Sequence, residues 1–110
     1  MKRLVAAAAV ALLFTSAAHA SSTTIGDVSL VSVLKNGTVL FNHNGDRTAR
    51  PACATNMGRW AFDGSTPAGQ AKLSLLLTAY SSGKKIVVVG DGACGQGGDT
   101  ETIDYIYTAN

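Results

Sequence analysis

The side chains with chemical potential are few in this chain. Cys53, Cys94 and His43 come first, because a thiol beside an imidazole can make a nucleophile. A nucleophilic cysteine needs a base and a third group that orients the base, and His43 is the single imidazole in the body of the chain. Two cysteines without a CxxC pair, plus one histidine, do not supply four zinc ligands. No metal and no cofactor is therefore expected. With no third thiol to compete, Cys53 and Cys94 read as one structural disulfide in an exported protein. The competing reading is a catalytic thiol served by His43.

Three other groups carry possible chemistry. Asp99, Glu101 and Asp104 could pair for glycoside hydrolysis, which needs two carboxyls at a set separation across a cleft. A domain of this size offers little room for such a cleft, so no catalytic residue is assigned. The segment Gly90-Asp91-Gly92-Ala93-Cys94-Gly95-Gln96-Gly97-Gly98-Asp99 lacks the Lys-Ser/Thr ending of a phosphate loop and does not lead into a helix. Its Gly97-Gly98-Asp99 fragment does not repeat as calcium-binding turns do. It reads as a tight connection that lets Cys94 reach Cys53. The cluster His43, Asn44, Asp46 and Arg47 could supply polar ligand contacts, and Trp60 could stack on a sugar ring. Against this, turns are polar by default, and Trp60 stands beside Ala61 and Phe62, as a core residue would.

The frame for these residues begins with an export leader. Lys2 and Arg3 precede the apolar run Leu4 to Phe14, and Ala18-His19-Ala20 is a small-x-small cleavage site. The run is shorter than the ~20 residues that span a bilayer, so cleavage near Ala20 and a secreted or periplasmic product are expected, without membrane insertion. Residues 21–110 then form one domain with equal numbers of acidic and basic side chains. Neither a neutral surface nor scattered cations suit nucleic acid.

Within that domain, Val28 to Leu34 and Thr38 to Phe41 flank Lys35-Asn36-Gly37, a hairpin signal of the type I′ kind. This predicts strands near 26–34 and 38–43. A third strand is expected between Thr48 and Phe62. Thr66 as cap, Pro67 at the first helical position and Gly83 past the end delimit one helix. Leu73, Leu76, Leu77 and Tyr80 mark its core face, and Ala68, Ala71, Leu75 and Ala79 line the opposite one. Ile86 to Val89 reads as a strand covered on both sides. Thr102 to Thr108 reads as a strand alternating Ile103, Tyr105 and Tyr107 against the rest.

The resulting order, β-β-β-α-β-β, is that of an OB-fold-like five-stranded barrel. The stretches Gly26-Asp27-Val28, Ala52-Cys53-Ala54, Arg59-Trp60-Ala61-Phe62 and Ser82-Gly83-Lys84-Lys85-Ile86-Val87-Val88 also resemble the subtilase cytotoxin B subunits and small exported bacterial proteins like them. That resemblance implies an OB-fold and a ring of subunits that binds sialylated glycans. Where the family holds its sugar, this chain has Ile25 and the Val87-Val88-Val89 run, whose side chains cannot hydrogen-bond. The toxin's own glycan site therefore does not carry over. What is expected is a non-enzymatic binding module, possible partners being a glycan and further copies of the chain. The copies would pack through the Ala68, Ala71, Leu75 and Ala79 stripe into a homo-oligomeric ring. The alternative is an exported structural or accessory protein that binds a protein partner and takes no small ligand.

Overall fold

A computed structural model describes residues 21–109; the expected leader over residues 1–20 and the terminal Asn110 lie outside the described residues. The elements follow in the expected order: β1 (Val28–Val33), β2 (Thr38–His43), β3 (Arg59–Asp63), α1 (Pro67–Ser82), β4 (Ile86–Gly90) and β5 (Glu101–Thr108). They form a mainly-β domain with one five-stranded sheet, ordered β1-β2-β3-β5-β4, and one helix. Neighbouring strands run antiparallel except β3 and β5, which pair parallel through Trp60–Glu101 and Ala61–Thr102.

The β1–β2 hairpin forms over Lys35-Asn36-Gly37, with a different turn from the expected one. Gly37 alone takes positive φ (88°), and Gly37 N–H donates to the Leu34 carbonyl at 2.9 Å while Leu34 N–H donates to Thr38 O at 2.8 Å. This is the three-residue loop, a turn closed by one left-handed glycine, rather than type I′. The Asn36 side chain explains the preference, because its Oδ1 accepts the Thr38 N–H at 3.0 Å. β1 is itself bulged between Ser29 and Ser32. Leu30 takes up the extra residue at φ 51° and stands 71% exposed.

The helix starts and stops where its caps require. Thr66 Oγ1 accepts the Gly69 N–H at 2.9 Å, Pro67 follows, and Gly83 closes the helix at φ 72°. Its buried face, however, is rotated from the expected one. Gly69, Leu76 and Ala79 are buried, Leu73 and Leu75 pack against the core, and Leu77 and Tyr80 are exposed. Gly69 drives the rotation. A Cβ there would stand 1.8 Å from the Asp63 carbonyl oxygen, so this side of the first turn can lie directly on the end of β3. The small-residue stripe is split as a consequence. Ala68 and Ala71 face solvent, while Leu75 and Ala79 belong to the chain's own core.

The β5 pattern also departs from simple alternation. A bulge opposite Val89 and Gly90 adds a residue on β5 near Asp104, which puts Ile103 and Ile106 inside and Tyr105 and Tyr107 outside. The core between helix and sheet gathers Val39, Phe41, Trp60, Phe62, Leu76, Ala79, Ile86, Val88, Ile103 and Ile106.

The expected barrel is not closed. The residues ahead of β1 meet β4 only through isolated bridges, Ser22–Val89 and Gly26–Ile86. Thr23 N–H donates to Val88 O and Gly26 N–H to Ile86 O, so three steps on one side face two on the other. Thr24 turns its N–H away to Asp46 O instead, and Ile25 is left 49% exposed. A continuous ladder cannot run through such an interruption. Residues 21–26 therefore lie between β4 and the 46–48 segment, bound to both.

Candidate functional site

A groove of about 580 Å³ opens between the residues leaving β2 and those entering β3, lined by His43, Gly45 through Arg50, Met57 and Gly58. It takes in three members of the expected polar cluster, His43, Asp46 and Arg47, and adds Thr48, Ala49, Arg50, Met57 and Gly58, which were not anticipated. The spacing of Arg47 and Arg50, two guanidinium groups three residues apart in one connection, was the available signal. Asn44 does not line the groove. Its Oδ1 accepts the Asp27 N–H at 2.8 Å, which anchors the start of β1.

Arg47 is the centre of the arrangement. Its guanidinium lies 4.0 Å from the Trp60 ring centroid, Nη1 donates to the Met57 carbonyl at 2.7 Å, and Nη2 donates to Glu101 Oε1. The ion pair is deeply enclosed, with side-chain exposures of 9% for Arg47 and 0% for Glu101. Glu101 Oε1 also accepts the Ser21 hydroxyl at 2.5 Å, and Oε2 accepts the Gly92 N–H at 2.9 Å. Burial lowers the pKa of Arg47, Glu101 opposes that shift, and the charge of Arg50 adds to it. A guanidinium nevertheless keeps its proton in a protein. Its Nε is buried and has no hydrogen-bond partner.

Trp60 is accordingly not a sugar platform. It is fully buried, with Arg47 over its ring, and offers a ligand no surface. His43 is also committed to the fold. Its Nε2–H donates to the Ile86 carbonyl at 2.9 Å, and its Nδ1 accepts the Gly45 N–H at 3.2 Å. That pair of bonds requires the neutral ring, because an imidazolium has no lone pair for Gly45. Burial holds the His43 pKa below the usual histidine value, against the Ile86 and Gly26 carbonyls and the charge of Asp27, which raise it. A depressed histidine pKa means that the unfolded chain takes up its proton first as pH falls. The stabilisation is complete above pH ~6.5 and is lost as pH drops through the lower folded value. Urea melts at pH 7.5 and 5.0 are expected to show a lower midpoint at pH 5.0. His43→Gln is expected to shrink that difference.

The acidic residues weighed for hydrolysis do not converge. Asp99 accepts from Thr100 Oγ1 (2.9 Å) and from Arg59 Nη2 (2.7 Å), and these two partners, Thr100 first, hold its carboxyl below the usual value. Glu101 is closed inside the Arg47 pair, and Asp104 sits exposed at the bulge. Cys53 and Cys94 are joined in a disulfide across Cα positions 6.2 Å apart. Among the described residues, no group of three or more His, Cys, Asp or Glu could hold a metal ion. No helix there is long and apolar enough to cross a membrane.

Compared with protein-family models, curated proteins and solved structures, the chain gives no significant match.

Proposed function

We propose that the protein is an exported, non-catalytic binding module with an OB-like fold, and that it receives a glycan in the groove beside Arg47. The observation that carries this reading is the groove itself. It is an open recess of mixed polar and apolar lining whose wall is braced by the buried Arg47–Glu101 pair, so its shape is held in place before a ligand arrives. The OB-like reading is supported by the helix between β3 and β4 and by the strand order β1-β2-β3-β5-β4. The resemblance to subtilase cytotoxin B subunits points the same way, while neither Ile25 nor the Val87–Val89 run lines the groove. The absence of chemistry in the proposal rests on commitment of the reactive groups. The thiols are oxidised, both nitrogens of His43 are bonded to backbone, and Glu101 is paired.

A glycan array with the purified protein tests the proposal. Binding to a defined set of glycans, lost when Gly58→Trp fills the groove, is the expected result. A blank array across neutral and acidic glycans overturns it. A second reading, a surface for a protein partner, has its own support in Tyr105 and Tyr107. Their rings lie 6.2 Å apart, stacked and about half exposed on the outer face of β5. That reading gains if the array is blank.

A further inference from the structure

We propose that the groove selects sugars carrying a ring carboxylate, of the hexuronate class, with Arg50 binding the carboxylate and Asp46 accepting from the ring hydroxyls. The inference rests on the binding-module reading and names the ligand class for the same groove. Its first ground is the uneven pairing of the charges that line the recess. Arg47 is neutralised by Glu101 at the back of the wall. Arg50 and Asp46 also line the groove and are exposed, yet neither belongs to an ion pair among the described residues. Arg50 is held by one bond, Nη1 to the Ala54 carbonyl at 2.8 Å. That leaves the rest of its planar fork for an anion, and a carboxylate matches such a fork in two places.

The second ground is the wall behind them. Arg47, nine-tenths buried, lines the same recess, but its Nη1 is committed to the Met57 carbonyl and its Nη2 to Glu101, and its Nε is closed off from the groove. Arg50 is therefore the cation that a ligand in the recess can engage through a free edge.

The third ground limits what else the ligand must carry. Asp46 accepts and cannot donate, so a bare anion would meet repulsion there. A molecule with both a carboxylate and several hydroxyls answers Arg50 and Asp46 together. A hexuronate is the compact form of that combination.

Amide chemical shifts of the labelled protein, followed during titration, test the proposal with four probes: methyl galacturonate, methyl glucuronate, methyl galactoside and acetate. The expected result is saturable movement of the Gly45, Thr48 and Gly58 amides with a uronate. Methyl galactoside and acetate should bind at least about tenfold more weakly, in line with a charge-assisted contact. Arg50→Ala should abolish the preference for the uronates, and Asp46→Ala should weaken them while improving acetate. Equal binding of galactoside and uronate, unchanged in Arg50→Ala, overturns the uronate inference and leaves the glycan module standing. Uronate shifts confined to another surface overturn the site. No shift with any of the four probes overturns the inference, and the array then decides separately whether the module reading survives.

Discussion

Glu101→Ala is expected to destabilise the protein by about 3–5 kcal/mol, because it leaves a guanidinium in the interior without its counter-ion. Arg47 has 9% of its side chain exposed, so solvent cannot supply the lost counter-charge as it would at the surface. Two further bonds go with it, the Ser21 hydroxyl to Oε1 and the Gly92 N–H to Oε2. The carboxyl is also boxed in sterically. A Cβ on Gly90 would stand 2.0 Å from Glu101 Oε2 and 2.8 Å from Trp60. Glu101→Gln keeps the volume but places an amide donor against either Arg47 or Gly92, so a smaller yet distinct loss is expected. Urea denaturation followed by circular dichroism measures both. Adding Arg47→Met to Glu101→Leu should recover much of the single-variant loss, since an apolar pair of similar volume carries no stranded charge. A loss below about 1 kcal/mol for Glu101→Ala would show that the pair contributes no more than a surface contact.

Glu101 also shows where the sequence was readable and where it was not. Read along the chain, it belongs with Asp99 and Asp104 beside a glycine-rich turn, and an acidic residue there is ordinarily solvated. Its burial comes from the parallel pairing of β3 with β5, which sets it opposite Trp60 and brings Arg47 from 54 residues away. No local pattern encodes that meeting. The helix boundaries were legible because Thr66, Pro67 and Gly83 act through backbone geometry within one turn. The buried face of the helix was not. It turns on Gly69, a residue with no side chain to enter an apolar pattern, whose value lies in contact with Asp63. The β5 alternation failed for a related reason, since one added residue at a bulge inverts the facing of all that follow. Of the groove, the 43–47 turn was legible as a polar cluster. Arg50, Met57 and Gly58 were not, because they join it only when the long connection from β2 folds back toward β3.

Removing the Cys53–Cys94 bond is expected to lower stability by about 4 kcal/mol on the chain-entropy model, the value for a loop of roughly forty residues. The two cysteines are 41 residues apart, and the segment they enclose contains β3, α1 and β4. A small domain has about 5–15 kcal/mol in total, so the loss could take most of its margin. The effect is expected to concentrate around residues 51–56 of the connection from β2 to β3, beyond the bonds that tie residues 46–48 to residues 22–24. Asn56 N–H donates to the Asp99 carbonyl at 3.0 Å, and Arg50 holds Ala54, but no strand runs from Asn44 to Gly58. Cys53 is exposed, which makes the bond open to reductant in the folded state. Urea melts with and without reductant, alongside Cys53→Ala/Cys94→Ala, measure the global term. Hydrogen exchange at Ala54 and Asn56, whose amides donate to the Pro51 and Asp99 carbonyls, reads the local one. Faster exchange at both amides with a lowered midpoint is the expected pair of results. An unchanged midpoint in the double variant would mean that the connection is held without the cross-link, by Arg47, by the Asn56–Asp99 bond and by the bonds of residues 46–48 to residues 22–24.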